Sequence, residues 1–234
     1  MNTHRELFEE APVPKAVALM AVPTMISMLV VVIYNMADTF FIGQTGDPLQ
    51  VAAVSLATPI FMIYMALGNL FGIGGSSAIS RALGEKRMDR ARNLSSFCCY
   101  GSIGLGIIVA ALFIAGMDLI GASANTIEYA RQYLTYISFG GPFIIFATAF
   151  GNILRGEGAA RESMIGNLIG TVVNIVLDPV MILGLGWGVT GAAIATVIGN
   201  IAASAFYLVY FLRKKSSLSI KLKDFKMGER IASG

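Results

Sequence analysis

The chain has 234 residues, of which 56% are hydrophobic and only 13% are charged, and its mean hydropathy is +0.71. This composition lies well outside the range of water-soluble domains. The formal net charge is +3, and nothing in the sequence indicates nucleic-acid binding. We therefore expect an integral membrane protein.

Six apolar stretches are each long enough to cross about 30 Å of hydrocarbon as a helix. In chain order they cover residues 16–42, 51–80, 94–117, 129–153, 163–184 and 190–212. The predicted fold class is an all-α membrane protein, a bundle of six transmembrane helices. The bundle would occupy residues 16–212, after an amino-terminal arm (1–15) and before a linker or tail (213–234).

The Lys and Arg residues fall almost entirely on one side of these spans. They occur in the arm, in the connections after the second and fourth spans and in the tail, and Arg131 is the exception. By the positive-inside rule, both termini then lie in the cytoplasm, which requires an even number of spans. We expect a multi-pass protein of the inner (plasma) membrane whose basic connections contact anionic lipid.

The first span contains an acidic residue, Asp38. A carboxylate within a bilayer costs about 2.5 to 3.5 kcal/mol on insertion scales, so it commonly serves a function. The neighbouring polar residues recur at helical spacing and place one polar face on this helix. They are Thr24, Ser27, Tyr34 and Asn35.

The second span contains two glycines four residues apart, Gly68 and Gly72. The glycine-rich run that follows lacks the Lys-Ser/Thr of a phosphate-binding loop, so close helix packing is the better interpretation. Pro59 is expected near the start of this helix.

The fifth span repeats the arrangement of the first, with Asp178 near its end. Polar and small residues precede Asp178 at steps of three and four, and the sixth span adds a third polar face. The three faces predict a shared polar interior, and the helical rise places both aspartates in the outer half of the membrane. The residues on the fifth and sixth spans are Ser163, Asn167, Gly170, Thr171, Asn174, Thr196, Asn200, Ser204 and Tyr207.

From the residues alone, two interpretations of the aspartates stay open. They bind a proton or Na⁺ together with oxygens of Asn174, Tyr34 or Thr196, or they and their polar neighbours only hold the helices together. An intramembrane aspartyl protease also needs two such aspartates, but its Tyr-Asp and Gly-x-Gly-Asp contexts are missing around Asp38 and Asp178.

Several segments together resemble the multidrug and toxic compound extrusion (MATE) transporters. They are PTMISMLVVVIYNMADTFFIG (23–43), RALGEKR (81–87), NILRGEG (152–158), NIVLDP (174–179) and WGVTGAAIAT (187–196). The likeness covers nearly the whole chain in order and spacing. It corresponds to the amino-terminal lobe of proteins that have two six-helix lobes, so the resemblance implies that the chain is one lobe of a two-lobed transporter.

The resemblance implies a cation-coupled antiporter, not an enzyme, which exports organic and often cationic compounds by alternating access in exchange for H⁺ or Na⁺. No cofactor is implied beyond the coupling ion. The implied cation site consists of Asp38, Asn174, Asp178 and Thr196, which are also the residues that would bind Na⁺, with Tyr34 and Asn152 as neighbours. The residues expected to line the substrate cavity are Asn35, Asn167, Thr171 and Asn200.

The expected partners are organic cations, membrane lipid, and either a missing carboxy-terminal lobe or a second copy of the chain. We expect a truncated product or gene fragment, with pairing of two copies as the less favoured option. Two alternatives for function are kept: a lipid-linked oligosaccharide flippase of the same superfamily, which should have a more basic cavity, and a fragment that does not transport.

Overall fold

The computed structural model describes residues 13–116, 126–213 and 218–220. Within these ranges the chain forms six helices that are long and apolar enough to cross a membrane, and no strand. The helices are α1 (Val13–Gly43), α2 (Pro48–Gly84), α3 (Met88–Ala115), α4 (Ile127–Gly156), α5 (Ala160–Asp178) and α6 (Gly188–Leu212). The predicted six-helix, all-α membrane fold is confirmed, whereas the amino-terminal arm up to residue 12 and most of the tail lie outside the described residues.

Some helices begin well before the predicted apolar spans. α3 starts at Met88 rather than residue 94, because hydropathy registers only the apolar part of a helix and not its charged first turn. α2 starts at Pro48, where the Asp47 carboxylate accepts a hydrogen bond from the Leu49 N–H at 2.9 Å. Pro59 therefore lies inside α2, and the expectation that it lies near the helix start is wrong.

α5 continues beyond Asp178 as a six-residue π-helical segment, Pro179–Gly184. Pro179 has no N–H and cannot make the α-helical hydrogen bond to the preceding turn. The wider hydrogen bonding that follows is visible where the Leu185 N–H donates to the Val180 carbonyl oxygen at 2.8 Å. Such segments occur frequently at functional sites.

α4 is the centre of the bundle and packs against α2, α3 and α6. In its most apolar stretch 72% of the residues are buried, compared with 6% in α1. α1 lies at the edge and packs mainly against α5. A movement of α1 would therefore disturb far less of the core than a movement of α4.

Glycines allow close helix contact at two places that matter for the site. A Cβ added to Gly68 would lie 2.6 Å from the Thr148 Cβ, which confirms the packing role predicted for this glycine. Between α5 and α6, a Cβ on Gly170 would lie 2.9 Å from the Gly199 carbonyl oxygen, and one on Gly199 would lie 2.6 Å from that of Gly170. The near contact of these two backbones brings Asn174 and Thr196, about one turn away, within hydrogen-bonding distance.

Candidate functional site

Side chains from α1, α4, α5 and α6 meet toward one end of the bundle. We call this group the aspartate cluster; its members are Tyr34, Asp38, Tyr133, Asn174, Asp178 and Thr196. The end of the bundle near Gly84 and Gly156, where the Lys- and Arg-rich connections lie, is called the basic end. The aspartate cluster lies near the other end of the bundle. Asp38 is five residues before the end of α1 and Thr196 is eight residues after the start of α6, so both are about 8 to 12 Å from that end.

Hydrogen bonds connect three helices within the aspartate cluster. The hydroxyls of Tyr34 and Thr196 lie 3.2 Å apart, which links α1 to α6. The Asn174 amide, in the orientation that satisfies both of its polar atoms, donates to Asp178 Oδ2 at 3.0 Å and accepts from the Thr196 N–H at 3.0 Å. Asn174 thereby holds the carboxylate of α5 against α6.

Each aspartate also has an oxygen without a partner. Asp38 Oδ1 and Asp178 Oδ1 are buried and form no hydrogen bond with any group in the described part of the chain. The two carboxylates are close enough for their charges to interact. Burying two such groups as bare anions is costly, so this arrangement is suited to taking up a proton or a cation that oxygen ligands can hold.

Tyr133 belongs to the aspartate cluster, and sequence reasoning missed it. The charges of Asp38 and Asp178 both reach its phenol group, which is buried on α4. The fourth span shows no polar face of the kind that marked the first, fifth and sixth spans. The available signal was depth, because Tyr133 lies six residues after the start of α4, at about the same level as Thr196.

Asn152 does not join the aspartate cluster. Its amide N–H groups donate to Asn69 Oδ1 and the Thr148 carbonyl oxygen, both at 3.0 Å, and its Oδ1 accepts from the Arg155 guanidinium at 2.8 Å. It follows Tyr133 by 19 residues on α4, about 28 Å of helical rise toward the basic end. The expectation that Asn152 neighbours the cation site is therefore wrong.

A cavity of about 160 Å³, lined by amide and hydroxyl side chains together with apolar ones, lies directly beside the aspartate cluster. The four residues expected to line a substrate cavity all line it: Asn35, Asn167, Thr171 and Asn200. Tyr34, Asn174 and Thr196 line it as well, so three residues belong to both the cavity and the aspartate cluster.

Aliphatic side chains cover the aspartate cluster at the end opposite the basic end. Ile42, Ile182 and Val189 are each 1% exposed and pack in one hydrophobic cluster with Tyr133. The Val189 N–H also donates to Gln50 Oε1 at 3.2 Å, which joins the starts of α2 and α6. Among the described residues, polar side chains therefore connect the two aspartates with the cavity, whereas apolar side chains cover them on the opposite side.

Six membrane-spanning helices that hold two aspartates beside a cavity lined in part by amide and hydroxyl groups define one lobe of a secondary transporter. The sequence model of the MatE family matches residues 23–180, and the chain belongs to this family, whose members are transporters rather than enzymes. The resemblance to MATE transporters seen in the sequence is confirmed.

Curated relatives include two proteins named multidrug export protein MepA. The chain is 38% identical over 230 residues to the one from Staphylococcus aureus (strain NCTC 8325 / PS 47) and 41% identical over 219 residues to the one from Staphylococcus saprophyticus. The alignments cover 97% and 92% of this chain but 51% and 49% of the relatives. The chain spans about half the length of the curated relatives it matches.

Solved structures show the same relationship. A crystal structure of MATE in complex with MaL6 matches with a TM-score of 0.92 at 32% identity, over 99% of this chain and 52% of the other. A MOP superfamily transporter from Pyrococcus furiosus, for which a reverse polarity of the binding pocket suggests a different function, matches with a TM-score of 0.91 at 32% identity, over the same shares of the two chains. The fold is that of half a MATE transporter.

Proposed function

We propose that the chain is the amino-terminal lobe of a cation-coupled antiporter of the plasma membrane that exports organic, often cationic compounds by alternating access. The names of the Staphylococcus relatives support multidrug export as the activity of the complete protein. The observation that carries the proposal is the sharing of Tyr34, Asn174 and Thr196 between the aspartate cluster and the cavity. An ion taken up by the cluster and a compound in the cavity would act on the same three side chains.

The coupling ion, H⁺ or Na⁺, would be held by Asp38 and Asp178. The unpartnered Oδ1 atoms are the natural proton or cation acceptors. For Na⁺, oxygens of Asn174 and Thr196 would complete a set of hard ligands without any soft donor. No cofactor other than the coupling ion is required by this scheme.

Ion uptake would change how α1 packs. α1 lies at the edge of the bundle and carries Asp38, Tyr34 and Asn35 on one stretch of helix. Neutralising Asp38 would remove its repulsion from Asp178. Any resulting shift of α1 would also move Tyr34, one turn before Asp38, relative to Thr196, whose hydroxyl now lies 3.2 Å from that of Tyr34. Because Tyr34 and Asn35 also line the cavity, a shift of α1 would change the shape of the substrate site.

The cavity in this lobe can hold only part of a drug-sized compound. Ligand pockets for such compounds usually measure about 300 to 1,000 Å³, and this cavity measures about 160 Å³. The remainder of the substrate site would come from a carboxy-terminal lobe or from a second copy of the chain. Full-length relatives, about twice as long, support the carboxy-terminal lobe.

A lipid-linked oligosaccharide flippase is the weaker alternative. Its substrate carries phosphates, which proteins commonly bind with Arg and Lys. Among the described residues, the cavity is lined by amide, hydroxyl, apolar and aromatic side chains and by no Lys or Arg. This lining fits an uncharged or cationic organic compound better than a lipid diphosphate.

The proposal is tested in vesicles that contain the two-lobed protein with this chain as its amino-terminal half. Asp38→Asn and Asp178→Asn each remove a charge while keeping the side-chain size. We expect each to abolish export of a fluorescent organic cation driven by an imposed Na⁺ or H⁺ gradient. Imposing the two gradients separately identifies the coupling ion.

Asp89→Asn is the matched control, since Asp89 is an exposed aspartate in the first turn of α3 at the basic end. Its export should equal that of the unmodified protein. Export that is unchanged by both Asp38→Asn and Asp178→Asn would refute the assignment of the cation site.

A further inference from the structure

A short segment beyond α6 is fastened to the side of α3. The hydroxyls of Ser95 and Ser96 donate to the Ser219 carbonyl oxygen at 2.6 and 2.9 Å, and the Ser219 N–H donates to Ser95 Oγ at 3.1 Å. The Tyr100 hydroxyl donates to the Ile220 carbonyl oxygen at 3.0 Å. Three side chains of one helix thus bind three main-chain groups of the segment.

The neighbouring residue adds an apolar anchor. Leu218 is 6% exposed and packs in the same hydrophobic cluster as Cys98 and Cys99 of α3. Ser95 and Ser96 are fully buried. Buried hydroxyls in an apolar helix are costly unless they are paired. The segment supplies an acceptor to both hydroxyls, in addition to the Arg92 carbonyl oxygen of α3, which lies 3.0 Å from Ser95 Oγ.

The contacts explain why these residue types stand at these positions. Ser96 and Tyr100 lie four residues apart and so occupy one face of α3, with Ser95 beside them. Their partners are main-chain groups, which any residue other than proline offers, so the side-chain requirement falls on Leu218 and Ile220, which contact the same hydrophobic cluster. The surface thus binds main-chain groups of the segment, while apolar side chains at the first and third positions of the segment pack beside it.

We propose that Ser95, Ser96 and Tyr100 form a docking surface on α3 whose occupant is the segment Leu218–Ile220 of the same molecule. The chain that leaves α6 is then fixed to α3, so residues beyond Ile220 are tethered from α3 and not from the end of α6 at Leu212. α3 packs against the central helix α4. In the two-lobed transporter proposed above, on which this consequence rests, the link between the lobes would be attached to the bundle at α3 and not only at the end of α6.

Hydrogen exchange of the purified chain in lipid nanodiscs tests the docking directly. In the unmodified chain we expect the amides of residues 218–220 to exchange slowly, because the Ser219 N–H is hydrogen-bonded. The triple variant S95A/S96A/Y100F should speed their exchange tenfold or more, since it removes the three hydroxyls that bind the segment. Trypsin cleavage after Lys221 should accelerate as well, because proteases need a released, extended chain.

Ser102→Ala is the matched control. Ser102 is also a fully buried serine of α3, but its hydroxyl donates within the helix to the Cys99 carbonyl oxygen at 2.9 Å. Its substitution should leave the exchange of residues 218–220 unchanged. Equal exchange in the triple variant and the unmodified chain would overturn the proposal.

The triple variant could speed exchange by loosening the whole bundle, and faster exchange of the α4 amides would then reveal this. A second variant separates that effect from loss of docking. Leu218→Asp keeps the three hydroxyls and removes only the anchor, so it should speed exchange at residues 218–220 and leave α4 protected. Slow exchange at residues 218–220 in Leu218→Asp would contradict the docking. Neither measurement involves transport, so the docking can fail while the transport proposal stands, and the reverse.

Discussion

Asn174 is the residue on which the geometry of the aspartate cluster most depends. Its amide bridges Asp178 Oδ2 and the Thr196 N–H, and no other described group bonds to both. We expect Asn174→Ala to destabilise the bundle by about 1 to 3 kcal/mol, the usual cost of leaving a buried charged or polar group without its partner. Thermal unfolding in detergent, followed by circular dichroism, measures this cost.

A double-mutant cycle separates the hydrogen bond from loss of packing. In the Asp178→Asn background, Asn174→Ala should cost clearly less, because the charged acceptor has gone. Asn167→Ala is the control, since Asn167 lies two turns away on α5 and accepts from the Tyr207 hydroxyl at 3.1 Å. Its effect should add to that of Asp178→Asn within about 0.5 kcal/mol. If the effects of Asn174→Ala and Asp178→Asn on the free energy of unfolding were additive, the Asn174 amide would not be stabilising the Asp178 carboxylate.

Single residues also show how far the sequence predicts the site. Asp38, Asp178, Asn174 and Thr196 could be recognised because a polar face on an apolar helix must point toward a protein interior or a cavity rather than toward lipid. Asn152 was placed wrongly although its depth was available from the sequence: it is the second-last residue of the predicted span 129–153, at the basic end and far from the level of the two aspartates.

At the level of helices, contact between α2 and α4 depends on the absence of a side chain at Gly68. A Cβ there would meet Thr148 at 2.6 Å, whereas a Cβ on Gly74 of the same helix would meet nothing within 4 Å. We expect Gly68→Ala to lower the free energy of unfolding by about 1 to 3 kcal/mol through overpacking. Gly74→Ala should raise it by up to about 1 kcal/mol, because alanine favours the helix.

Thermal unfolding of the two variants in the same detergent compares them directly. The opposite signs make the comparison independent of any general effect of replacing glycine by alanine. If Gly68→Ala were as stable as Gly74→Ala, α2 and α4 would be packed less closely than the structure shows.

Helix number was predictable and helix ends were not. Six apolar stretches suffice to predict six helices, because a membrane leaves few other ways to satisfy the backbone. The charged first turn of α3 has no hydropathy signal, and it adds six residues before the predicted span. The π-helical segment after Asp178 was not predictable either. Pro179 explains it only when the structure shows that the helix continues beyond this proline.

At the scale of the whole molecule, the described helices bring together the side chains of the proposed cation site but only part of the proposed substrate site. All six side chains of the aspartate cluster come from the described helices α1, α4, α5 and α6. The cavity beside the cluster is small, and large apolar side chains of α1 and α2 are exposed in this lobe, where lipid or another lobe could cover them. Alternating access requires a second body against which this lobe can move.

We therefore expect the chain alone to bind the coupling cation and to export nothing. Calorimetric titration of the purified chain with NaCl, compared with choline chloride and at two pH values, should reveal Na⁺ or proton uptake that Asp178→Asn abolishes. Vesicles containing only this chain should retain a fluorescent organic cation under the same ion gradient that drives its export by the two-lobed protein. Export by the chain alone, together with a dimer detected by cross-linking in those vesicles, would contradict this expectation, because a second copy would then be serving as the second lobe.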